Sequence, residues 1–471
     1  MDLISTLAAQ RAAFMAELPV PAAIRKDRLR RAVALVADNA VAFCDALSDD
    51  FGHRSREQSM MTDIAASVAP LSHAIRHVDR WMRRERRPVQ FPLGLLGARA
   101  WIDYQPKGVV GVISPWNFPV NLVMSPLAGV FAAGNRAMVK TSEFTPASAA
   151  LFEELGPRYF AADELAFVSG GADIGKAFAA LPFDHLIFTG ATAIGRHILH
   201  AAADNLTPVT LELGGKSPVI VGRSADIAQA TERVALGKML NAGQICLAPD
   251  YMLVAADQEQ AVVDGLKAAA SAMYPTLLAN ADYTAIINDH HHARLTALLD
   301  DARAKGATVE TVNPAGEDFA GSNSRKMPLH IVRGATDAMA VMQEEIFGPV
   351  LPVRRYDTID GAIDEVNRRD RPLGLYYFGA DDSDRRRVLD RTISGGVTIN
   401  DVVFHVSMED LPFGGIGPSG MGSYHGADGF RTFSHAKAVF RQTRFDVAKL
   451  AGLKPPYGKA TARTIAQQMK R

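Results

Sequence analysis

VVGVIS at 109–114, AMVK at 137–140, LAFVSG at 165–170, HLIFTG at 185–190 and PVTLEL at 208–213 are five short apolar runs of β-type composition. Between them lie stretches with helical spacing: NLVMSPLAGVFAAG at 121–134, PASAALFEEL at 146–155, IGKAFAAL at 174–181 and TAIGRHILHAAA at 192–203. Strands that alternate with helices in this way imply a parallel sheet with helices on both faces. The stretch therefore predicts a dinucleotide-type α/β domain. Working outward, a second α/β series follows, with SPVIV at 217–221, a helix from Asp226 to Leu240, DYMLVAA at 250–256 and further units as far as GGVTIN at 395–400. It predicts a second domain of similar size. Upstream, LRRAVALVADNAVAFCDAL at 29–47 repeats apolar residues every three or four positions, and the chain reads as all-α up to about Arg87. ARAWIDYQP at 98–106 and KAVFRQTRF at 437–445 alternate in a way that suits exposed strands, a ribbon placed to pair with another subunit. The polar tail KATARTIAQQMKR at 459–471 is expected to be partly mobile.

Composition narrows the partners. A chain of 471 residues calls for two or three compact units, and its 48% hydrophobic and 22% charged residues are those of a folded globular protein. The 51 basic and 51 acidic residues cancel, so no global field draws the chain to nucleic acid or to an anionic membrane. DRWMRRERRP at 79–88 holds five arginines, but a charge run on a helix is ordinarily a solvated face. The uncharged stretch from Val109 to Asn135 is long enough to suggest a membrane span. Pro115, Pro119 and Pro126, with Asn117 and Asn121, break it into a buried strand, a loop and a helix. Two cysteines, Cys44 and Cys246, allow at most one disulfide and exclude a multi-cysteine metal site, so no metal is expected. That usage fits a reducing compartment. The first residues read as a helix and not as a signal peptide, which places the protein in the cytoplasm.

Three residues stand out for chemistry. Cys246 in NAGQICLAP follows a helical run and is flanked by Gly243 and Pro249, so a loop can expose and activate its thiolate, whereas Cys44 on an apolar helix face reads as packing. Glu212 ends an apolar strand at a Gly-Gly turn, where open α/β sheets bind ligands; an ordinary charged turn residue is the bland alternative. Asn117 in SPWNFP is either a turn former beside prolines or an amide aimed at an oxyanion. Gly190 and Gly195 in HLIFTGATAIG sit at a strand-to-helix junction suited to a pyrophosphate, though the spacing is not G-x-G-x-x-G. No HExxH, G-x-S-x-G or Walker A sequence is present, so metalloprotease, α/β-hydrolase and P-loop readings have no support.

PWNFP at 115–119, KTSE at 140–143, FTGATAIGR at 188–196, LELGGKSP at 211–218, GQICLAPDY at 243–251, EEIFGPV at 344–350 and PFGGIGPSGMGSYHG at 412–426 together resemble the aldehyde dehydrogenase superfamily, in family order. GQICLAPDY and GPSGMGSYHGADGFRTFSH look most like its class 3 branch, and within it they resemble the bacterial coniferyl aldehyde dehydrogenases. The resemblance implies an NAD(P)-dependent oxidation of an aldehyde to an acid through a thioester. It implies an aldehyde dehydrogenase fold: a Rossmann-like NAD-binding domain from 1–95 and 109–210, a catalytic domain from 211–405, bridging segments at 96–108 and 406–445 that build a homodimer, and a tail at 446–471. Carried over by motif, Cys246 is the nucleophile, Glu212 the general base, and Asn117 with the Cys246 N–H the oxyanion hole. Cofactor contacts fall on Ser114 and Trp116, on Lys140 and Glu143 at the adenosine ribose, on Thr189, Gly190, Ala191 and Ile194 at the pyrophosphate, on Gly214, and on Glu345 and Phe347 at the nicotinamide riboside. Many members have Ser where Ala191 stands, so the pyrophosphate loses a side-chain contact here. The cofactor expected is NAD, with NADP also used, because Glu143 opposes a 2′-phosphate while Lys140 favours one; alternatively Glu143 merely caps the helix that begins near Thr145 and Pro146. The substrate expected first is an aromatic enal such as coniferaldehyde, then benzaldehyde-type or medium-chain aliphatic aldehydes. CoA-acylating relatives commonly lack the glutamate of ELGGK, and catalytically silent ones would lose one of Cys246, Glu212 or Asn117; this chain keeps all three.

Overall fold

The five apolar runs have no polar alternation because each is covered on both faces, as strands of a helix-flanked parallel sheet must be. In the computed structural model, which describes residues 2–91 and 93–470, they form β3 (Val109–Ile113), β4 (Arg136–Lys140), β5 (Leu165–Val168), β6 (His185–Gly190) and β7 (Val209–Leu213). These strands are parallel, in the order 7-6-3-4-5, and a short antiparallel strand at Gly420–Met421 (β15) pairs with β7. Chain order runs outward in both directions from β3, so the sheet has its topological switch point between the carboxyl ends of β3 and β6. That is where an open α/β sheet binds a nucleotide.

The helix after β3, Asn121–Ala133, is buried almost all round, with Leu127, Val130 and Phe131 fully enclosed between the sheet and the N-terminal helices. Burying each such side chain stabilises the fold by roughly 1.5 to 3 kcal/mol. No helix among the described residues is long and apolar enough to cross a membrane.

The second series forms a seven-stranded sheet: β8 (Pro218–Val221), β9 (Tyr251–Ala255), β10 (Thr308–Val312), β11 (Leu329–Arg333), β12 (Val350–Tyr356), β13 (Gly374–Phe378) and β14 (Gly396–Ile399) in the order 10-11-12-9-8-13-14, with only β10 antiparallel. Four residues separate the end of β7 from the start of β8. The carboxyl edge of the first sheet therefore faces the amino edge of the second, and the residues before β8, β9 and β12 gather there.

One local expectation changes. The arginine run does not stay helical: the preceding helix ends at Trp81, and Glu85–Arg87 (β1) pairs antiparallel with Arg99–Pro106 (β2). Ladder bonds to β2 outweigh the weak helical preference of a short charged segment. In the tail, Lys459–Gln468 is a helix, started by the Gly458 N–H donating to Thr461 Oγ1 at 3.2 Å. Ser434–Arg441 (β16) pairs along the other side of β2, giving a three-stranded ribbon with β16 as a half-exposed edge.

Candidate active site

Residues quoted from distant motifs meet at the gap between the two sheets. Glu212 is the penultimate residue of β7, in register with Thr189 on β6, and its side chain is 1% exposed. Neither of its carboxyl oxygens has a hydrogen-bond partner. Burial pushes the Glu212 carboxyl up to about 8; the Cys246 thiol facing it opposes that shift and the Glu345 carboxyl adds to it. The thiol faces Glu212 in a geometry short of a formed hydrogen bond.

Cys246 follows a turn at Leu240–Gly243 in which Asn241, Ala242 and Gly243 all have positive φ, at 50°, 52° and 73°. For Asn and Ala this conformation costs of order 1–3 kcal/mol each and persists only where neighbours over-determine it. Gly243 is obligatory: a Cβ there would lie 2.5 Å from the Gly348 carbonyl oxygen. The strained turn delivers a half-buried Cys246 to the gap. Burial, with Glu212 and Glu345 beside it, holds its thiol well above the ordinary range. Cys44 by contrast is enclosed in the core around Phe43 and Leu47.

Asn117, 3% exposed, donates through Nδ2 to the Gln244 carbonyl at 3.1 Å, two residues before Cys246. An amide nitrogen has a second N–H, which remains for a ligand.

The EEIFGP segment reaches the same place from the second sheet. Glu345 Oε1 accepts from the Gly215 N–H at 3.0 Å, and a Cβ on Gly214 would meet Glu345 Oε2 at 2.1 Å, so only glycine admits this approach. Burial raises Glu345 to about 8 against that N–H bond. The segment is held by Asp250, which accepts the Ile346 N–H at 2.9 Å and pairs with Lys216, and by Arg294, which donates to the Glu345 carbonyl at 3.2 Å. Phe347, at φ 51°, meets Trp116 edge-on, centroids 5.2 Å apart, and His291 packs on the same indole at 5.0 Å.

On the first sheet, Ser114 follows β3 and donates its N–H to the Lys140 carbonyl at 3.0 Å. Thr189 and Gly190 end β6, Ala191 is the N-cap of the helix Thr192–Ala203, and Ile194 stands half exposed in its first turn. Lys140 Nζ bonds Glu143 Oε2 at 2.9 Å; burial pulls Glu143 up, but this pairing outweighs it and holds the carboxyl below its usual range. Glu143 does not cap the next helix. That role falls to Asp50, whose carboxylate accepts the Ala147 and Ser148 N–H groups at 2.8 and 2.9 Å. Ser114, Lys140 and Thr189 thus stand at the carboxyl ends of β3, β4 and β6 beside the switch point, next to the start of the helix Thr192–Ala203, an end whose free N–H groups suit a phosphate. The donor set fits a dinucleotide.

The model of the aldehyde dehydrogenase family matches residues 2–439. This chain belongs to the aldehyde dehydrogenase family. It is 54% identical over 98% of its length, and 96% of the relative's, to a probable coniferyl aldehyde dehydrogenase of Caulobacter vibrioides. Against the coniferyl aldehyde dehydrogenase of Pseudomonas sp. strain HR199 the identity is 52%, covering 98% of this chain and 94% of that one. The substrate-bound Staphylococcus aureus AldH superposes with a TM-score of 0.91 at 34% identity, over 99% of this chain and all of the other. An S. aureus betaine aldehyde dehydrogenase in complex with NAD+ superposes at 0.83 with 25% identity, over 94% and 89%. The enzyme is accordingly an oxidoreductase that oxidises an aldehyde with NAD(P), and the family's reaction passes through a thioester.

Motif reading missed the buried polar groups that hold this site. Gln244 and Asn241 lie inside the quoted NAGQICLAP, yet their side chains gave no signal because each bonds within the protein. Arg54, Gln58 and Asp63 lie in no motif at all.

Proposed function

We propose that Cys246 is the nucleophile, Glu212 the base and Asn117 an oxyanion donor in the oxidation of an aromatic enal such as coniferaldehyde to its acid. One observation carries the assignment: a thiol faces a buried carboxyl without hydrogen-bond partners, on a loop joined to the Asn117 amide. Cys246 reacts as its thiolate. Cys246 Sγ then attacks the carbonyl carbon, and the oxygen that becomes negative is met by the Asn117 amide and the Cys246 N–H. Bound NAD(P) supplies the hydride acceptor. Ser114, Trp116, Lys140, Glu143, Thr189, Gly190, Ala191, Ile194, Gly214, Glu345 and Phe347 hold and orient it. Loss of hydride from the substrate carbon leaves a thioester on Sγ. Glu212 takes a proton from water as that water attacks the thioester, the C–S bond breaks, and acid departs.

Hydrolysis, not transfer to CoA, is favoured by the presence of Glu212. The choice of an aromatic enal rests on the two coniferyl-named relatives. NAD is the preferred coenzyme, with NADP also used, because Glu143 faces the ribose site with Lys140 paired to it. A homodimer is favoured by the open edge of β16, with exposed Phe440, and by exposed Ile399, Phe404 and Leu411 near the edge strand β14. Residues 1–95 and 109–210 serve the nucleotide, 211–405 the chemistry, and 96–108 with 406–445 the bridge. Two free thiols suit the cytoplasm.

Acid formation without CoA, and kcat/KM for coniferaldehyde, benzaldehyde and a medium-chain aliphatic aldehyde with each coenzyme, test the proposal. A benzaldehyde or aliphatic value above that for coniferaldehyde overturns the substrate choice, and a requirement for CoA overturns hydrolysis.

A further inference from the structure

Between Arg54 and Asp63 the chain passes from the short helix Arg56–Ser59 into a π-turn at Met60–Ala65. In a continuous α-helix, residues 58 and 63 would point about 140° apart. Hydrogen bonding from i to i+5 winds the chain more loosely and brings Asp63 back toward the face of Gln58. Both side chains are buried, and both reach the catalytic gap.

Gln58 grips the strained turn before Cys246. Its Nε2 donates to Asn241 Oδ1 at 3.2 Å, and its Oε1 accepts the Asn241 N–H at 2.9 Å. Asn241 Nδ2 in turn donates to the Asn117 carbonyl at 3.1 Å and to the Gln244 carbonyl at 3.2 Å. Asp63 and Arg54 grip the other half of the site. Asp63 Oδ1 accepts the Val120 and Asn121 N–H groups at 3.0 and 3.1 Å, and its Oδ2 is paired with Arg54 at 2.6 Å. Arg54 also donates to the Asn117 carbonyl at 3.3 Å, its guanidinium lying between the rings of Phe51 and Phe118.

We infer that residues 54–63 are a positioning clamp: Gln58 fixes the Cys246 loop, Arg54 and Asp63 fix the Asn117 loop, and the π-turn sets the separation between nucleophile and oxyanion donor. The inference rests on the roles given above to Cys246 and Asn117. None of the three clamp residues touches the reacting atoms; they act through Asn241 and Asn117. A carbonyl oxygen that becomes negative is stabilised only by a donor already at hydrogen-bond distance, so a small shift of either loop slows the attack without weakening coenzyme binding.

Stopped-flow measurement of NADH formation in the first turnover of the full-length enzyme tests the clamp. Gln58→Met keeps the volume and removes both bonds to Asn241. It is expected to slow first-turnover hydride transfer about tenfold to a hundredfold, with the Kd for NAD unchanged. In an Asn117→Ala background the same substitution is expected to cost clearly less than it does alone, because the separation between nucleophile and oxyanion donor that the clamp sets no longer matters once the donor is gone. Should Gln58→Met fail to fold, Arg54→Lys makes the same test, retaining the charge beside Asp63 while losing the reach to the Asn117 carbonyl. A folded variant that transfers hydride at the wild-type rate overturns the clamp, and so do losses that simply multiply in the double variant. If Asn117→Ala itself transfers hydride at the wild-type rate, the oxyanion role is what fails. A slow Asn117→Ala beside a fast Gln58→Met sinks the clamp alone.

Discussion

Replacing Glu212 with Gln keeps its shape and removes its titration. The wild-type carboxyl is raised from 4.5 to about 8 because it is buried without a hydrogen-bond partner, with Glu345 adding to the effect. At about 1.36 kcal/mol per pH unit, that corresponds to roughly 5 kcal/mol between its two protonation states. Two consequences follow from one group. For catalysis, the base must be ionised, so wild-type turnover should climb with pH to a plateau above about 8. Glu212→Gln should lose that climb and fall in steady state by roughly 10² to 10⁴, the range for a positioned base. It should still release a first burst of NADH, about one equivalent per site, because the acyl enzyme forms and then waits. For stability, a carboxyl whose folded value is raised contributes fully below its unfolded value and loses that contribution as pH rises through the folded one. The wild type should therefore lose up to roughly 5 kcal/mol between about pH 4.5 and 8 that the variant does not lose. Stopped-flow fluorescence gives the burst, and calorimetry at pH 6 and pH 9 gives the midpoints. A variant with unchanged pH dependence in both refutes the assignment of base and buried charge. A variant with no burst places Glu212 before hydride transfer, as the base for Cys246.

Cys246→Ala should abolish turnover while NAD binding by titration calorimetry stays near wild type; turnover near the wild-type rate would remove Cys246 from the chemistry. Cys44→Ala, in the core around Phe43, should lower the thermal midpoint and leave kcat unchanged. Asn117→Ala should slow first-turnover hydride transfer by roughly 10² to 10³, and an effect on KM alone would contradict an oxyanion role. Glu143→Ala should move the NAD to NADP ratio of kcat/KM toward NADP, since it frees Lys140 to meet a 2′-phosphate; an unchanged ratio would mean that Glu143 does not discriminate. Light scattering should show a dimer, and Phe440→Glu on the β16 edge should shift it toward monomer; an active monomeric wild type at assay concentration would refute the proposed assembly.

Much of this molecule was legible in one dimension. Strand runs such as VVGVIS and HLIFTG are apolar throughout because they are covered on both faces, and that requirement acts on each residue separately, so it shows in the sequence. The same is true of LELGGKSP, where Gly214 must admit Glu345, and of Gly243, where a Cβ would strike the Gly348 carbonyl. Local pattern failed at the arginine run, where pairing of Glu85–Arg87 with β2 decides the conformation. It also could not tell whether Glu143 caps a helix, because the capping group, Asp50, comes from nearly a hundred residues away. What only the tertiary structure decided is the state of the groups. The sequence marks Glu212 and Glu345 as motif carboxylates but says nothing of their proton affinity; both are raised because burial excludes water around them. Arg54, Gln58 and Asp63 belong to no motif, since a side chain that acts through two or three hydrogen bonds to distant loops needs no particular neighbours in its own segment. Proton affinity and positioning depend on what lies within a few ångströms, and along this chain those neighbours come from segments far apart in sequence.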